Sequence, residues 1–324
     1  MNEQKRIIIV LGPTSSGKSD IAIKLAKKFD GEIISADSRQ IYRGLDIGTG
    51  KVPRDKKSLA LRNSESSARR RKKPSFDLQK VYFSHGISHY MIDIISPHTD
   101  YNVAKFKKQT EKIIADILQR GRLPIICGGT GFWIRTIVDN VTFPEVKPDW
   151  KLRKKLEKYP AEKLFVMLKK FDPDRAKTID PKNKVRLIRA IEICKTLKRV
   201  PKIPDTEYEI PDTKHEFLQI GIKLSKERLH QNIKKRLKAR FKQGMVAEVK
   251  KLHADGLSWK KIQSFGLGYY WIPLYLQGKL NKDELFEKVL QAEKDYAKRQ
   301  MTWFKRDKKI KWVADLGETK RIIK

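Results

Sequence analysis

The sequence predicts an α/β protein built on a doubly wound parallel sheet, with a helical insertion domain. Three observations predict it. A β-branched run, Ile7 to Val10, leads through a glycine-rich turn into an amphipathic helix. Strand-like and helix-like patterns alternate from there to about residue 134, the rhythm of βαβ units. Residues 141–184 break that rhythm with Lys- and Pro-rich, short helical patterns. At 324 residues the chain suits one large domain with an insertion, or two domains. Either buries a core without disulfides.

Each element has its own signal. Ile7–Leu11 is apolar at every position, as a strand buried on both faces requires. Over 18–29, Ile21, Leu25 and Phe29 recur four apart with Ala22 and Ala26 beside them, one helical face. Gly31 ends that helix, and Glu32–Ala36 and Met91–Ile95 read as further strands. A helix over about 103–119 carries Phe106, Ile113, Ile114, Ile117 and Leu118 on one side. Pro124–Cys127 is then a strand running into Gly128-Gly129-Thr130-Gly131. Beyond residue 184 the chain reads as helical apart from a strand near Leu218–Leu224. Leu229, Ile233, Leu237 and Phe241 predict a packed helix face, with Lys234, Lys235, Arg236, Lys238, Arg240 and Lys242 as its cationic surface. The last long helix, about 282–305, starts at an Asn281-x-x-Glu284 cap. The expected division is a core of 1–140 and 185–324, the insertion 141–184, and a mobile basic loop over 52–80. Within that loop, Arg69-Arg70-Arg71-Lys72-Lys73 suits a solvated surface or an RNA contact equally.

Lys and Arg number 73 against 38 Asp and Glu, a formal charge of +35. Such an excess favours a polyanionic partner, nucleic acid or an anionic surface. Cys127 and Cys194 stand alone, which excludes a disulfide framework or a zinc finger and suits a reducing cytosol. The opening apolar run is too short for a signal peptide and no 18-residue apolar stretch occurs, so a cytoplasmic protein without a membrane span is expected.

Gly12-Pro13-Thr14-Ser15-Ser16-Gly17-Lys18-Ser19 fits G-x-x-x-x-G-K-[ST], and it lies between a buried strand and a helix, as the motif requires. Glycines let backbone N–H groups turn in around phosphate oxygens, and the helix N-terminus adds partial positive charge. Lys18 neutralises a distal phosphate, and the Ser19 hydroxyl is a Mg²⁺ ligand. A P-loop NTPase-like fold follows, holding a diphosphate or triphosphate. Whether that phosphate is transferred, hydrolysed or expelled stays open. Asp37 falls at the carboxyl end of the second strand, on the same sheet edge as the loop. There it could hold Mg²⁺, accept a proton, or simply close a turn.

The phosphate loop, Ser35-Ala36-Asp37-Ser38-Arg39-Gln40-Ile41-Tyr42 through Gly48-Thr49, Gly128–Ile134, Val185–Glu192 and Tyr296–Phe304 occur in this order. With these five motifs the chain resembles the tRNA dimethylallyltransferases, or tRNA isopentenyltransferases, over nearly its full length. The resemblance implies transfer of the dimethylallyl group of dimethylallyl diphosphate to the exocyclic amine of the adenosine 3′-adjacent to the anticodon, in the tRNA anticodon stem-loop, with Mg²⁺ and release of pyrophosphate. It implies Asp37 as base, with Thr14 and Lys18 in the catalytic set. Gly12, Pro13, Thr14, Ser15, Ser16, Gly17, Lys18, Ser19 and Arg236 would hold the diphosphate. Asp37, Ser38, Arg39, Gln40, Thr130, Arg153, Val185, Arg186, Leu187, Ile188 and Arg189 would meet the tRNA. A monomer is expected.

Three departures from the family pattern stand out. Residues 52–85 are longer and more basic than the usual link, Q-A-I-G-Y becomes Gln263-Ser264-Phe265-Gly266-Leu267-Gly268-Tyr269, and no Cys₂His₂ finger follows the last helix. Two other readings share the loop: a P-loop kinase of a small metabolite, and an isopentenyltransferase of free adenine nucleotides. An RNA-binding module without catalysis is a third, disfavoured by the Lys18, Ser19 and Asp37 set.

Overall fold

The computed structural model describes residues 5–55, 81–201 and 215–323. From residue 56 onward the basic segment 52–80, with Arg69–Lys73, lies outside them. Seven strands form one sheet in the order β3-β4-β2-β5-β1-β6-β7: β1 Lys5–Leu11, β2 Gly31–Ala36, β3 Tyr82–Ser84, β4 Ile87–Tyr90, β5 Leu123–Gly128, β6 His215–Ile222 and β7 Lys311–Val313. All neighbours are parallel except the β3–β4 pair. The alternating faces of β1 explain its unbroken apolar run. Ile7, Ile9 and Leu11 pack into one core with Phe106 and Ile233, while Ile8 and Val10 pack into a second with Ala22 and Leu25.

Helices cover the sheet: α1 Lys18–Lys28, α2 Val103–Gln119, α3 Gly131–Val138, then α8 Lys226–Lys242, α9 Met245–Ala254, α10 Trp259–Gln263, α11 Gly268–Leu276, α12 Lys282–Phe304 and α13 Leu316–Ile323. The Asn281–Glu284 capping box forms at the start of α12. Between α3 and α8 lie α4 Trp150–Leu156, α5 Ala161–Phe171, α6 Pro173–Thr178 and α7 Lys184–Leu197. No helix among the described residues is long and apolar enough to cross a membrane.

The structure corrects three expectations. Met91–Ile95 is not a strand: β4 ends at Tyr90, and Met91 and Asp93 take φ of 63° and 56°. That left-handed backbone turns the chain away from the ladder. The strand after the insertion runs 215–222, and the short β3 and β7 carry too little pattern to be read. The second unit spans Asn140–Pro211, not 141–184, because Leu187, Ile191 and Cys194 of α7 share one core with Leu156, Leu164 and Leu168.

The entry and exit of the 56–80 segment are tied to each other. Tyr82 donates its hydroxyl to the Val52 carbonyl at 2.6 Å, and the Asp55 N–H reaches the Phe83 carbonyl at 2.9 Å. The Asp55 carboxylate in turn accepts the His85 and Gly86 N–H groups. Just upstream, the buried Lys51 ammonium binds the Tyr42 carbonyl at 2.7 Å, Asp46 at 2.6 Å, and Asp93.

Candidate active site

The carboxyl ends of β1, β2 and β5 converge on a cavity of about 280 Å³. β1 supplies the loop 12–17, whose tight path needs a left-handed residue at its exit; Gly17, φ 86°, provides it and caps α1. Ser15 also sits at φ 60°. The Ser15 and Ser16 hydroxyl oxygens are buried without a hydrogen-bond partner. Groups of that kind are costly unless a polar partner satisfies them, so the loop keeps unspent hydrogen-bonding capacity.

Lys18 lines the cavity, its ammonium donating to the Pro13 carbonyl at 3.1 Å. Burial lowers its pKa; the Cys127 and Asp37 charges oppose that shift, while Arg236 and Arg240 add to it. Arg236 donates to the Gly50 carbonyl at 3.0 Å and to the Thr14 hydroxyl at 3.4 Å. Burial, then the neighbouring Arg240, brings its guanidinium down to about 10. Ser19 hydrogen-bonds the Cys127 thiol, which burial pushes up to about 11 against the pull of Lys18.

Asp37 follows β2. Its Oδ1 accepts the Arg39 N–H at 2.8 Å and the Gln40 N–H at 3.4 Å, a turn that fixes the carboxylate at the cavity wall. Asp37 therefore closes a turn and lines the cavity at once. The Ser38 N–H donates to the Thr130 hydroxyl at 3.1 Å, and Thr130 also hydrogen-bonds Tyr296. The Tyr296 hydroxyl titrates well above its usual range because it is buried and faces Asp37. Gln40 accepts from the Ser35 hydroxyl at 3.0 Å. Arg39 reaches across to the Phe265 carbonyl at 2.8 Å and the Ser264 carbonyl at 3.3 Å. The departure at 263–269 thus forms cavity wall: Phe265, Gly266, Leu267 and Tyr269 all line it, with Leu267 at φ 50°.

Residues that pattern reading did not single out complete the site. Gln300 accepts the Thr14 N–H at 2.8 Å and donates to the Gly129 carbonyl at 2.8 Å, stitching the phosphate loop to the β5 turn. It lies inside the Tyr296–Phe304 motif, so its position was signalled but not its role. Glu248 accepts the N–H groups of Asp46, Ile47 and Gly48 and the Tyr269 hydroxyl, fixing the 46–50 wall. Arg240, read only as part of the cationic surface of α8, lines the cavity one turn from Arg236, which was expected at the diphosphate.

The second unit holds the other expected RNA residues. Leu187 and Ile188 are core there, so their side chains are closed to a ligand; Val185, 78% exposed, and Arg186 are open. Arg153 binds Glu192 through two bonds of 2.8 and 2.7 Å and lies over the exposed Trp150 ring at 5.2 Å. Arg189 binds Glu192 and the Val146 carbonyl, the latter at 3.0 Å. Burial alone would raise the Glu192 carboxyl, but bonds from Arg153, Arg189 and the Asp149 N–H bring it down to about 2.

One cavity of this α/β protein thus joins a glycine loop with orphaned hydroxyls, buried cations and a carboxylate fixed by its own turn. The IPP transferase family model matches residues 78–307, and the isopentenyl transferase model matches 5–62. The tRNA dimethylallyltransferase of Acetivibrio thermocellus is 37% identical, covering 98% of this chain and 95% of its own length. That of Pelotomaculum thermopropionicum is 38% identical, covering 96% and 91%. Among solved structures, tRNA delta(2)-isopentenylpyrophosphate transferase of Staphylococcus epidermidis matches with a TM-score of 0.63 at 34% identity, covering 98% of each chain. A eukaryotic dimethylallyltransferase captured acting on tRNA matches at 0.76 and 26%, covering 99% of this chain and 78% of that one. This chain belongs to the IPP transferase family, a family of tRNA-modifying prenyltransferases.

Proposed function

We propose that the chain transfers the dimethylallyl group of dimethylallyl diphosphate to the exocyclic amine of the adenosine 3′-adjacent to the anticodon of tRNA, releasing pyrophosphate. The observation that carries this reading is the joining, in one cavity, of a phosphate cradle and a backbone-fixed carboxylate, Asp37. The sheet order, with the phosphate-loop strand between β5 and β6, supports a P-loop NTPase-like core. As the allylic C–O bond breaks, charge gathers on the departing diphosphate. Lys18, Arg236 and the turn at Gly17 are placed to stabilise it. The new C–N bond forms from the adenine amine, whose lone pair is delocalised and weakly nucleophilic. Asp37 takes the amine proton through the oxygen not committed to its turn. Thr130, Ser38 and Gln40 hold the nucleotide, while Phe265 and Leu267 keep water from the allylic carbon. The hard oxygen donors here, the Ser19 hydroxyl and the substrate's own phosphates, suit Mg²⁺, which would neutralise charge on the leaving group. Arg186, Val185 and Trp150 offer the second unit's open surface to the anticodon stem-loop.

Incubation with labelled dimethylallyl diphosphate and either tRNA or AMP tests the reading. Label in tRNA with stoichiometric pyrophosphate is expected. Label in AMP would make the enzyme a free-nucleotide isopentenyltransferase, and ATP consumption with phosphoryl transfer would make it a kinase.

A further inference from the structure

The reaction as derived makes no use of Arg240 and Glu293. Both line the cavity, Arg240 from α8 and Glu293 from α12, and both are almost closed to solvent, 5% and 1% exposed. Arg240 Nη1 donates to Glu293 Oε1 at 2.6 Å. The pair is nevertheless half-made: Arg240 Nε and Glu293 Oε2 are buried with no hydrogen-bond partner. A buried ion pair offsets its desolvation only when the remaining donors and acceptors are also satisfied. Arg153 and Glu192 in the second unit close such a pair into a two-bond fork; Arg240 and Glu293 do not, and keep donor and acceptor capacity to spare.

Position explains what the spare capacity serves. The Nη2 atoms of Arg236 and Arg240 both crowd the point where a Cβ on Gly50 would lie, and Arg236 touches Thr14 of the phosphate loop. Two guanidinium ends that close repel each other, and Arg240 indeed opposes the charge of both Arg236 and Lys18. An anion lying among the three cations relieves that repulsion and satisfies Arg240. We infer that Arg240 is a third cation for the donor's diphosphate, and that Glu293 is its counter-ion in the ligand-free protein, sharing Arg240 with the phosphate oxygens when the donor binds. This rests on the diphosphate reading of the cavity.

Calorimetric titration of the full chain with inorganic pyrophosphate in Mg²⁺ buffer tests it. Three variants are compared: Arg240→Met/Glu293→Leu, Glu293→Gln and Lys18→Ala. The double variant replaces the pair by apolar groups of similar size and so leaves no buried unpaired charge. It should weaken pyrophosphate binding about tenfold or more, the scale of a lost charge-assisted hydrogen bond. Glu293→Gln removes the competing carboxylate charge and should tighten pyrophosphate binding several-fold. Loss of a nearby negative charge favours an anion in any case, so the net-neutral double variant is the arm that isolates Arg240, while a failure of Glu293→Gln to tighten binding still counts against the inference. Unchanged affinity in a folded double variant, or unchanged or weaker affinity in Glu293→Gln, overturns the inference. If that happens while Lys18→Ala still binds pyrophosphate poorly, the phosphate-loop reading survives and only the role of Arg240 falls. Undiminished binding by Lys18→Ala overturns both.

Discussion

Gln300 braces the loop at Thr14 against the turn at Gly129, and so sets their spacing. Gln300→Ala leaves the Thr14 N–H and the Gly129 carbonyl without partners in a wall where Gln300 itself is only 7% exposed. An unsatisfied buried group costs about 1–3 kcal/mol, so the two together cost roughly 2–6 kcal/mol. The cavity left by the amide opens toward the site and admits water, which restores part of the loss, so about 2–3 kcal/mol is the expected net. For a domain of this size that lowers Tm by roughly 4–10 °C. Turnover should fall further than stability suggests, because the phosphate loop and the Thr130 turn lose their common brace. Gln300→Glu discriminates the two halves of the brace. It keeps an acceptor for Thr14 but sets a carboxylate against the Gly129 carbonyl and adds negative charge near the diphosphate site. Its pyrophosphate affinity should therefore drop more than that of the alanine variant. Differential scanning calorimetry, steady-state kinetics and pyrophosphate titration give the three readouts. A Gln300→Ala enzyme with the parent Tm and turnover would refute the brace.

Asp37→Asn keeps an oxygen for the Arg39 and Gln40 N–H groups, so the fold should stand while single-turnover transfer slows by about 10²–10⁴; a rate within a few-fold of the parent removes Asp37 as base. Lys18 has a lowered pKa in the free protein, chiefly from burial, and an arriving diphosphate must raise it, so pyrophosphate binding at alkaline pH should take up protons. Titrations in buffers of different ionisation enthalpy will show that uptake, it should shrink in Lys18→Met, and buffer-independent heats would contradict it. Glu192 falls from its ordinary 4.5 to about 2, so its folded form binds fewer protons than the unfolded chain. Its contribution is complete above about pH 4.5 and is lost as pH falls toward 2, at most about 3 kcal/mol. Protection along α7, taken relative to the intrinsic exchange rate at each pH, should fall over that range in the parent and not in Glu192→Gln, and a flat parent profile would refute the assignment.

Motifs that are contiguous in the chain were legible before the structure; pairings across it were not. The phosphate loop and Asp37 could be placed because strand, loop and helix are adjacent and each has a local pattern. The heptad-like run on α8 reported which side is apolar, yet said nothing of what the polar side meets. Arg240 looks identical to Lys235 and Lys238 until α12 brings Glu293 beside it. The insertion boundary failed for a related reason. Leu187 and Ile191 have the spacing of any buried helix, and only the α4 and α5 side chains packed against them decide which core they join. Val185–Arg189 likewise reads as one motif, while burial divides it into core and surface positions.

The stitched neck around residues 52–55 and 82–86 has a consequence for changes of chain length. Because Val52–Tyr82 and Asp55–Phe83 join the two stems, and Lys51 anchors the chain before it departs, residues 56–80 enter and leave the scaffold at adjacent points. Lengthening a loop between fixed ends adds only about 0.6 kcal/mol per doubling. Here both ends are fixed by contacts that the intervening sequence does not supply. The neck is therefore a port: two stems joined to each other, at which a change of length beyond residue 55 meets contacts that are already made.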